Sequence, residues 1–270
     1  MPFTNSTRGL FGVQSGVRTS ASVSTILTTS SSPQIYWKNE DIVGSDGAST
    51  STWINSGTFG SGYNGSVNGS PTVQSFSGKK SVRISNGSYL SHTARMIMNT
   101  SSFGNGFTLA VVYKVDSSAQ KVSLMGTNGI APGSSNQYGI IGNRGGTGTS
   151  NQYMAWDNDG FPHATTSTGF TYPSDITNVH QAVWRHTSGG NLQVWAPSKN
   201  SGVIFNSSIA PYTSQFSQHT VGFSRLNSPV EDPWNLLEYI FWDSALSDAD
   251  IAVLRNYLGT KFAGIGVVNN

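Results

Sequence analysis

The chain has 270 residues, with 15 basic and 13 acidic side chains for a formal net charge of +2, five histidines and no cysteine. The missing thiol excludes disulfide scaffolds, thiolate zinc sites, Cys-ligated iron–sulfur clusters and cysteine nucleophiles. Charged residues make up 10% of the chain, against about 25% in an ordinary soluble domain, and the basic ones are scattered, so nucleic acid, which needs a concentrated basic stripe, is not an expected partner.

From the N-terminus, Met1 to Arg8 lacks a basic segment followed by an apolar run, so no secretory signal peptide is expected and the chain reads as made in a cytoplasm. No stretch approaches the roughly 18 apolar residues of a membrane span, so membrane insertion is not expected. Between Thr19 and Ser32, 10 of 14 residues are Ser or Thr, and Pro33 closes the run. Residues 1–33 read as an extended arm that anchors on neighbouring subunits, through strand addition or insertion of Phe3, Leu10, Phe11 and Val13. Residues 34–270 read as one β-sandwich domain.

After Pro33, short β-branched and aromatic runs alternate with Gly, Asn, Ser and Pro, the pattern of an all-β sandwich or barrel. The predicted strands run from Gln34 to Trp37, Thr72 to Phe76, Ser81 to Ile84, Phe107 to Val115, Lys121 to Gly126, Gln137 to Ile141 and Gln152 to Trp156. Further on they run from Val179 to His186, Leu192 to Ala196, Gly202 to Phe205, Gln218 to Phe223 and Leu236 to Trp242. In the fourth, Phe107, Leu109, Val111, Tyr113 and Val115 share one face, the period of a half-buried strand. About a dozen strands at this spacing favour two packed antiparallel sheets. Near the C-terminus, Ser247 and Asp250 form a capping pair ahead of the stripe Ile251, Leu254, Leu258 and Phe262, which predicts one short helix ending or fraying at Gly259.

Leu237-Glu-Tyr-Ile-Phe-Trp-Asp-Ser-Ala-Leu-Ser-Asp-Ala-Asp-Ile-Ala-Val-Leu254 resembles the closing strand, turn and helix of the concanavalin A-like lectin/glucanase superfamily, in its laminin-G-like branch. Trp53-Ile-Asn-Ser-Gly57 is similar to that family's Trp-x-Asp-x-Ser-Gly element, and Gly78 to Leu90, Phe107 to Val115 and Val179 to Trp184 are similar to three of its strands. Asn55 and Asn86 stand where the family commonly has Asp. The resemblance covers about Gln34 to Phe262 and implies a jelly-roll sandwich with a tendency to bind glycans or surfaces; fold by itself does not set function.

That superfamily also contains glycoside hydrolases, whose retaining members resemble Glu-x-Asp-x-x-Glu on one strand. No such string occurs, and the only glutamates are Glu40, Glu231 and Glu238, so no catalytic residue is expected. The histidines lack the i, i+4 pairing of a zincin, and no Gly-x-Ser-x-Gly elbow occurs. Asp157-Asn-Asp159-Gly is the one metal motif, a turn of hard oxygen donors suited to Ca²⁺, though it lacks the acidic twelfth position of an EF-hand loop. Trp37, Trp53, Trp184 and Trp242 read as core. Tyr63, Tyr153, Trp156, Tyr172, Trp195 and Trp234 read as loop aromatics; of these Tyr153, Trp156, Tyr172, Trp195 and Trp234 are the expected sugar-stacking residues, with Trp195 and Trp234 preferred because Pro197 and Pro233 suggest exposed bends.

With the composition, these features favour a structural virion surface protein of a bacteriophage or similar virus: a head decoration, fibre or tail receptor-binding subunit. It would contact other virion proteins and copies of itself through the arm and cell-surface glycans through the sandwich, as a homo-oligomer. A free lectin domain and, third, a glycoside hydrolase are the alternatives.

Overall fold

The computed structural model describes residues 26–27, 32–85, 89–92, 106–116, 122–128, 139–142, 153–156, 162–165, 178–187, 192–196, 199–205, 218–221 and 233–265. Within them the strands are β1 (Ile35–Trp37), β2 (Thr52–Trp53), β3 (Gly65–Asn68), β4 (Thr72–Phe76), β5 (Lys79–Ile84), β6 (Tyr89–His92), β7 (Phe107–Val115) and β8 (Val122–Asn128). They continue as β9 (Gly139–Gly142), β10 (Tyr153–Trp156), β11 (Pro162–Thr165), β12 (His180–His186), β13 (Leu192–Ala196), β14 (Lys199–Phe205), β15 (Gln218–Val221) and β16 (Trp234–Trp242), and helix α1 covers Asp248–Lys261.

Two eight-stranded antiparallel sheets result. The first runs β14-β13-β12-β7-β16-β5-β4, with β1 also paired to β16; the second runs β11-β10-β9-β8-β15-β6-β3-β2. Along one edge of β16, Trp234 to Leu236 pair with β5 and Tyr239 to Phe241 pair with β1. The expected all-β sandwich of two antiparallel sheets with one C-terminal helix is therefore the fold.

Alternation in β7 sorts its side chains between two cores. Phe107, Leu109, Val111, Tyr113 and Val115 face the interior between the sheets, where they join Trp37, Trp53, Trp184, Leu90 and Val221. Ala110 and Val112 face outward, yet they are also buried, in a second cluster with Ile240, Trp242, Leu246, Ile251, Leu254, Leu258 and Phe262. Helix α1 thus lies on the outer face of the first sheet and makes a third layer. The strand read as half-buried is buried on both faces for this reason, since the helix that covers it lies far away in sequence.

The helix begins as expected: Ser247 Oγ accepts the Asp250 N–H at 3.2 Å and donates to Asp250 Oδ2 at 2.7 Å. It does not stop at Gly259. Gly259 is buried within the helix, which continues to Lys261, while Phe262 closes it by donating its N–H to Leu258 O. Ile26, inside the Ser/Thr stretch, is buried in the outer cluster, so this part of the expected arm packs on its own sandwich. Residues 1–25 and 28–31 of that arm, including Phe3, Leu10, Phe11 and Val13, lie outside the described residues.

Strands β2, β3, β6 and β11 have no counterpart in the predicted list. They are two to four residues long, and β2, β3 and β11 carry at most one large apolar residue each, too few to mark a strand by composition.

Candidate functional site

The segment 53–64 forms a loop built around the side chain of Asn55. Asn55 Oδ1 accepts the Tyr36 N–H at 2.7 Å and the Gly57 N–H at 2.9 Å, while Nδ2 donates to Gln34 O at 3.2 Å and Gly60 O at 3.0 Å. Its own N–H donates to Asn64 Oδ1 at 2.8 Å. One buried amide therefore ties strand β1 to both limbs of the loop, using two acceptor and two donor directions. A glycine is required at position 57, because a Cβ there would run into the Gln34 carbonyl.

This framework displays an apolar tip. Phe59 is 37% exposed and Ile54 50% exposed. The Phe59 ring rests against Tyr63 with centroids 4.6 Å apart and planes 47° apart. Beneath it, Tyr63 O accepts the Trp37 Nε1–H at 3.0 Å, and burial raises the Tyr63 hydroxyl above its ordinary pKa. Ser56 Oγ donates to Asp41 Oδ2 at 2.8 Å at the exposed rim. The loop thus holds a partly exposed aromatic ring on a backbone fixed by hydrogen bonds, a surface on which a flat apolar face can stack. Tyr63 was visible as a loop aromatic in the sequence, whereas Phe59 and Ile54 were not singled out. The available signal was the run of Gly, Ser and Asn on both sides of Phe59.

A second constellation lies on the opposite side of β1, under α1. A bulge at Leu236/Glu238 in β16 turns both Leu237 and Glu238 to the outer face. There the fully buried Glu238 accepts the Tyr36 hydroxyl at 2.7 Å and the Asn39 N–H at 3.2 Å. Lys261 Nζ lies 2.8 Å from Glu238 Oε1 and 2.8 Å from Glu40 Oε2. Burial pushes the Glu238 carboxyl up, against the pull of Lys261, Tyr36 and Asn39. The more open Glu40 is also pushed up by burial, but the hydrogen bonds from Lys261 and from its own backbone, with the charges of Lys261 and Lys79, together outweigh this and hold it below the ordinary range. Burial, followed by the nearby Glu238 charge, drives the Tyr36 hydroxyl far above its usual value. The pairing of Lys261 with a strand glutamate 23 residues away carries no local signature in the sequence.

Two of the three glutamates, the buried Glu238 and the half-exposed Glu40, are thus both paired with the one lysine at the end of α1. Glu231 lies outside the described residues. His180 and His186 are buried on the inner face, beside Tyr113 and Phe107 respectively. Among the described residues no group of three or more His, Asp or Glu could hold a metal ion.

The preferred aromatic pair needs correction. Trp234 belongs to β16 and is 0% exposed, edge-on to Tyr113 in the inner core. Trp195 is 7% exposed, with the Arg185 guanidinium 5.0 Å over its ring. Neither ring offers a face to a sugar: Pro233 leads directly into β16, which carries Trp234 inward, and Arg185 covers Trp195, while Pro197 lies outside the described residues. Tyr153 and Trp156 fall on β10, whose backbone alone is described, and Tyr172, Asp157 and Asp159 lie outside the described residues.

No family model and no curated protein matches this sequence. Solved structures do match in fold. The binding domain of botulinum neurotoxin serotype C1 superposes with a TM-score of 0.57 at 12% identity, over 84% of this chain and 52% of that one. Domain 4 of an extracellular GH43 arabinanase from Geobacillus stearothermophilus, in complex with arabinotriose, gives 0.55 at 10% identity, over 82% and 97%. Trypanosoma rangeli sialidase, in complex with 2,3-difluoro-KDN, gives 0.52 at 14% identity, over 86% and 33%. The chain spans about half of the neurotoxin domain and a third of the sialidase, so the likeness establishes the sandwich and nothing finer.

Proposed function

We propose that this protein is a non-catalytic, lectin-like attachment module that binds carbohydrate, carried on a virion surface as a decoration, fibre or tail subunit. The observation that carries the binding reading is the Phe59–Tyr63 pair: a partly exposed ring on a loop already fixed by the Asn55 amide, so that little ordering entropy remains to be lost on binding. Two of the structural neighbours hold a sugar or sugar analogue, which supports the ligand class. The burial of Glu238 and its engagement with Lys261 supports attachment over hydrolysis. For the virion setting the support is compositional, a cysteine-free, charge-poor chain with a Ser/Thr-rich leader.

A glycan array probed with the full chain and with Phe59→Ala tests the binding reading. Retention of a glycan class by the parent, weakened at least tenfold in the variant, is the expected result. An array on which the parent retains nothing overturns carbohydrate binding, and equal retention by the variant moves the site away from Phe59. Antibody labelling of assembled particles tests the virion setting, and unlabelled particles would refute it.

A further inference from the structure

Lys261, at the last position of α1, presents Nζ to both oxygens of Glu238, at 2.8 and 2.9 Å, and to Glu40 Oε2 at 2.8 Å. Its side chain is only 8% exposed and that of Glu238 is wholly buried. The amine sits among the rings of Phe262, Tyr257 and Tyr36, with centroids 5.4, 5.9 and 6.0 Å away. Tyr36 donates its hydroxyl proton to Glu238 Oε1 and lies 3.2 Å from the Tyr257 hydroxyl. A nucleophile, an acyl donor and a hydroxyl bonded to that donor's oxygen are therefore held out of water, with a second, half-exposed carboxylate in reach of the same nitrogen.

We propose that this cluster is an intramolecular amide-forming site, in which Lys261 Nζ condenses with the Glu238 side-chain carboxyl and ties α1 covalently to β16. Burial disfavours the ammonium and the carboxylate alike, but the Glu238 charge and the hydrogen bonds to Glu238 and Glu40 outweigh it at Lys261 and hold the amine protonated at rest. The reactive form is the minor one in which a proton has passed from Lys261 to Glu238, leaving a neutral amine facing a neutral acid. Nζ then attacks Cδ, forming the C–N bond, and the Tyr36 hydroxyl stabilises the negative charge that develops on Oε1. Glu40 takes a proton from the new nitrogen substituent and hands it to Oε2; the Cδ–Oε2 bond breaks and water leaves. The sum is one ammonium and one carboxylate converted to one amide and one water, with Glu40 returned as the carboxylate and no redox partner involved. Water exclusion by the aromatic rings favours the condensed product, and the fixed geometry replaces a bimolecular encounter. This inference is independent of the carbohydrate-binding reading.

Intact-mass spectrometry of the full chain reads the outcome directly. The purified protein is expected to be lighter than its sequence mass by one water, with a branched peptide joining the segments that contain Glu238 and Lys261. Glu40→Gln keeps both partners and alters a half-exposed side chain, and Lys261→Arg keeps the charge without the nucleophile; both variants are expected to show the full mass. A parent chain at its full sequence mass overturns the proposal. So does a deficit of one ammonia mapped to Asn39, which would make that amide the acyl donor in place of Glu238. If Glu40→Gln still loses water, the proton relay through Glu40 is wrong.

Discussion

Asn55 Oδ1 accepts the Tyr36 N–H at 2.7 Å, while the same amide donates through Nδ2 to the carbonyls of Gln34 and Gly60. Only a side chain with both a donor and an acceptor satisfies this buried position. The concanavalin A-like resemblance would place aspartate there, and aspartate has no donor. Asn55→Asp is therefore expected to leave two carbonyls facing a carboxylate and to lower stability by about 2 kcal/mol or more, measured by urea denaturation. An unchanged midpoint would show that the loop rearranges without loss.

Arg185 performs four tasks at once. Its Nε–H donates to Gln193 Oε1 at 2.8 Å, and Nη1 donates to Leu246 O at 2.7 Å. Nη2 pairs with Asp248 Oδ1 at 2.7 Å, and the guanidinium covers Trp195. Lysine cannot reproduce a planar fork that bonds in three directions. Arg185→Lys is expected to cost about 1–3 kcal/mol, whereas Asp248→Asn, at a carboxylate 82% exposed, is expected to change stability by less than about 0.5 kcal/mol. Equal effects would place the energy in the ion pair instead of in the fork.

His186, stacked on Phe107 in the inner core with ring centroids 5.6 Å apart, is pushed down to about 4 by burial. A histidine in the unfolded chain titrates near pH 6.5. Between these values the unfolded chain binds the proton and the folded one does not, so stability rises with pH across this window. It is fully present above about pH 6.5 and lost on acidification towards pH 4, by up to about 3 kcal/mol. His186→Gln is expected to remove this slope. Denaturation midpoints for both chains at pH 4.5, 5.5 and 7 provide the check, and a parent curve flat over that range would contradict it.

Gly106 enters β7 with φ +77°, and a Cβ there would collide with the carbonyl of His186 on the neighbouring strand. Gly106→Ala meets both backbone strain and a contact that is itself backbone, with no flexible side-chain end to move aside. A loss of about 3 kcal/mol or more is expected by thermal or urea unfolding; a loss under about 1 kcal/mol would mean that β12 can shift.

Local pattern alone determined the parts of this protein that depend on a few consecutive residues. The alternation of Phe107 to Val115 set the strand and its inner face, and the Ser247–Asp250 pair with its apolar stripe set the helix start. The tryptophans at positions 37, 53, 184 and 242 were legible as core from their apolar neighbours. What the tertiary structure decided was burial and partnership, which depend on elements distant in sequence. Helix α1 folds over β7 and β16 and so buries a face that alternation marks as open. The bulge in β16 turns Glu238 towards Lys261, and the start of that strand at Trp234 carries this ring inward, where a neighbouring proline had suggested an exposed bend. Exposure of Phe59 was equally invisible, because it follows from how Asn55 holds a loop against β1 and not from any property of the phenylalanine itself.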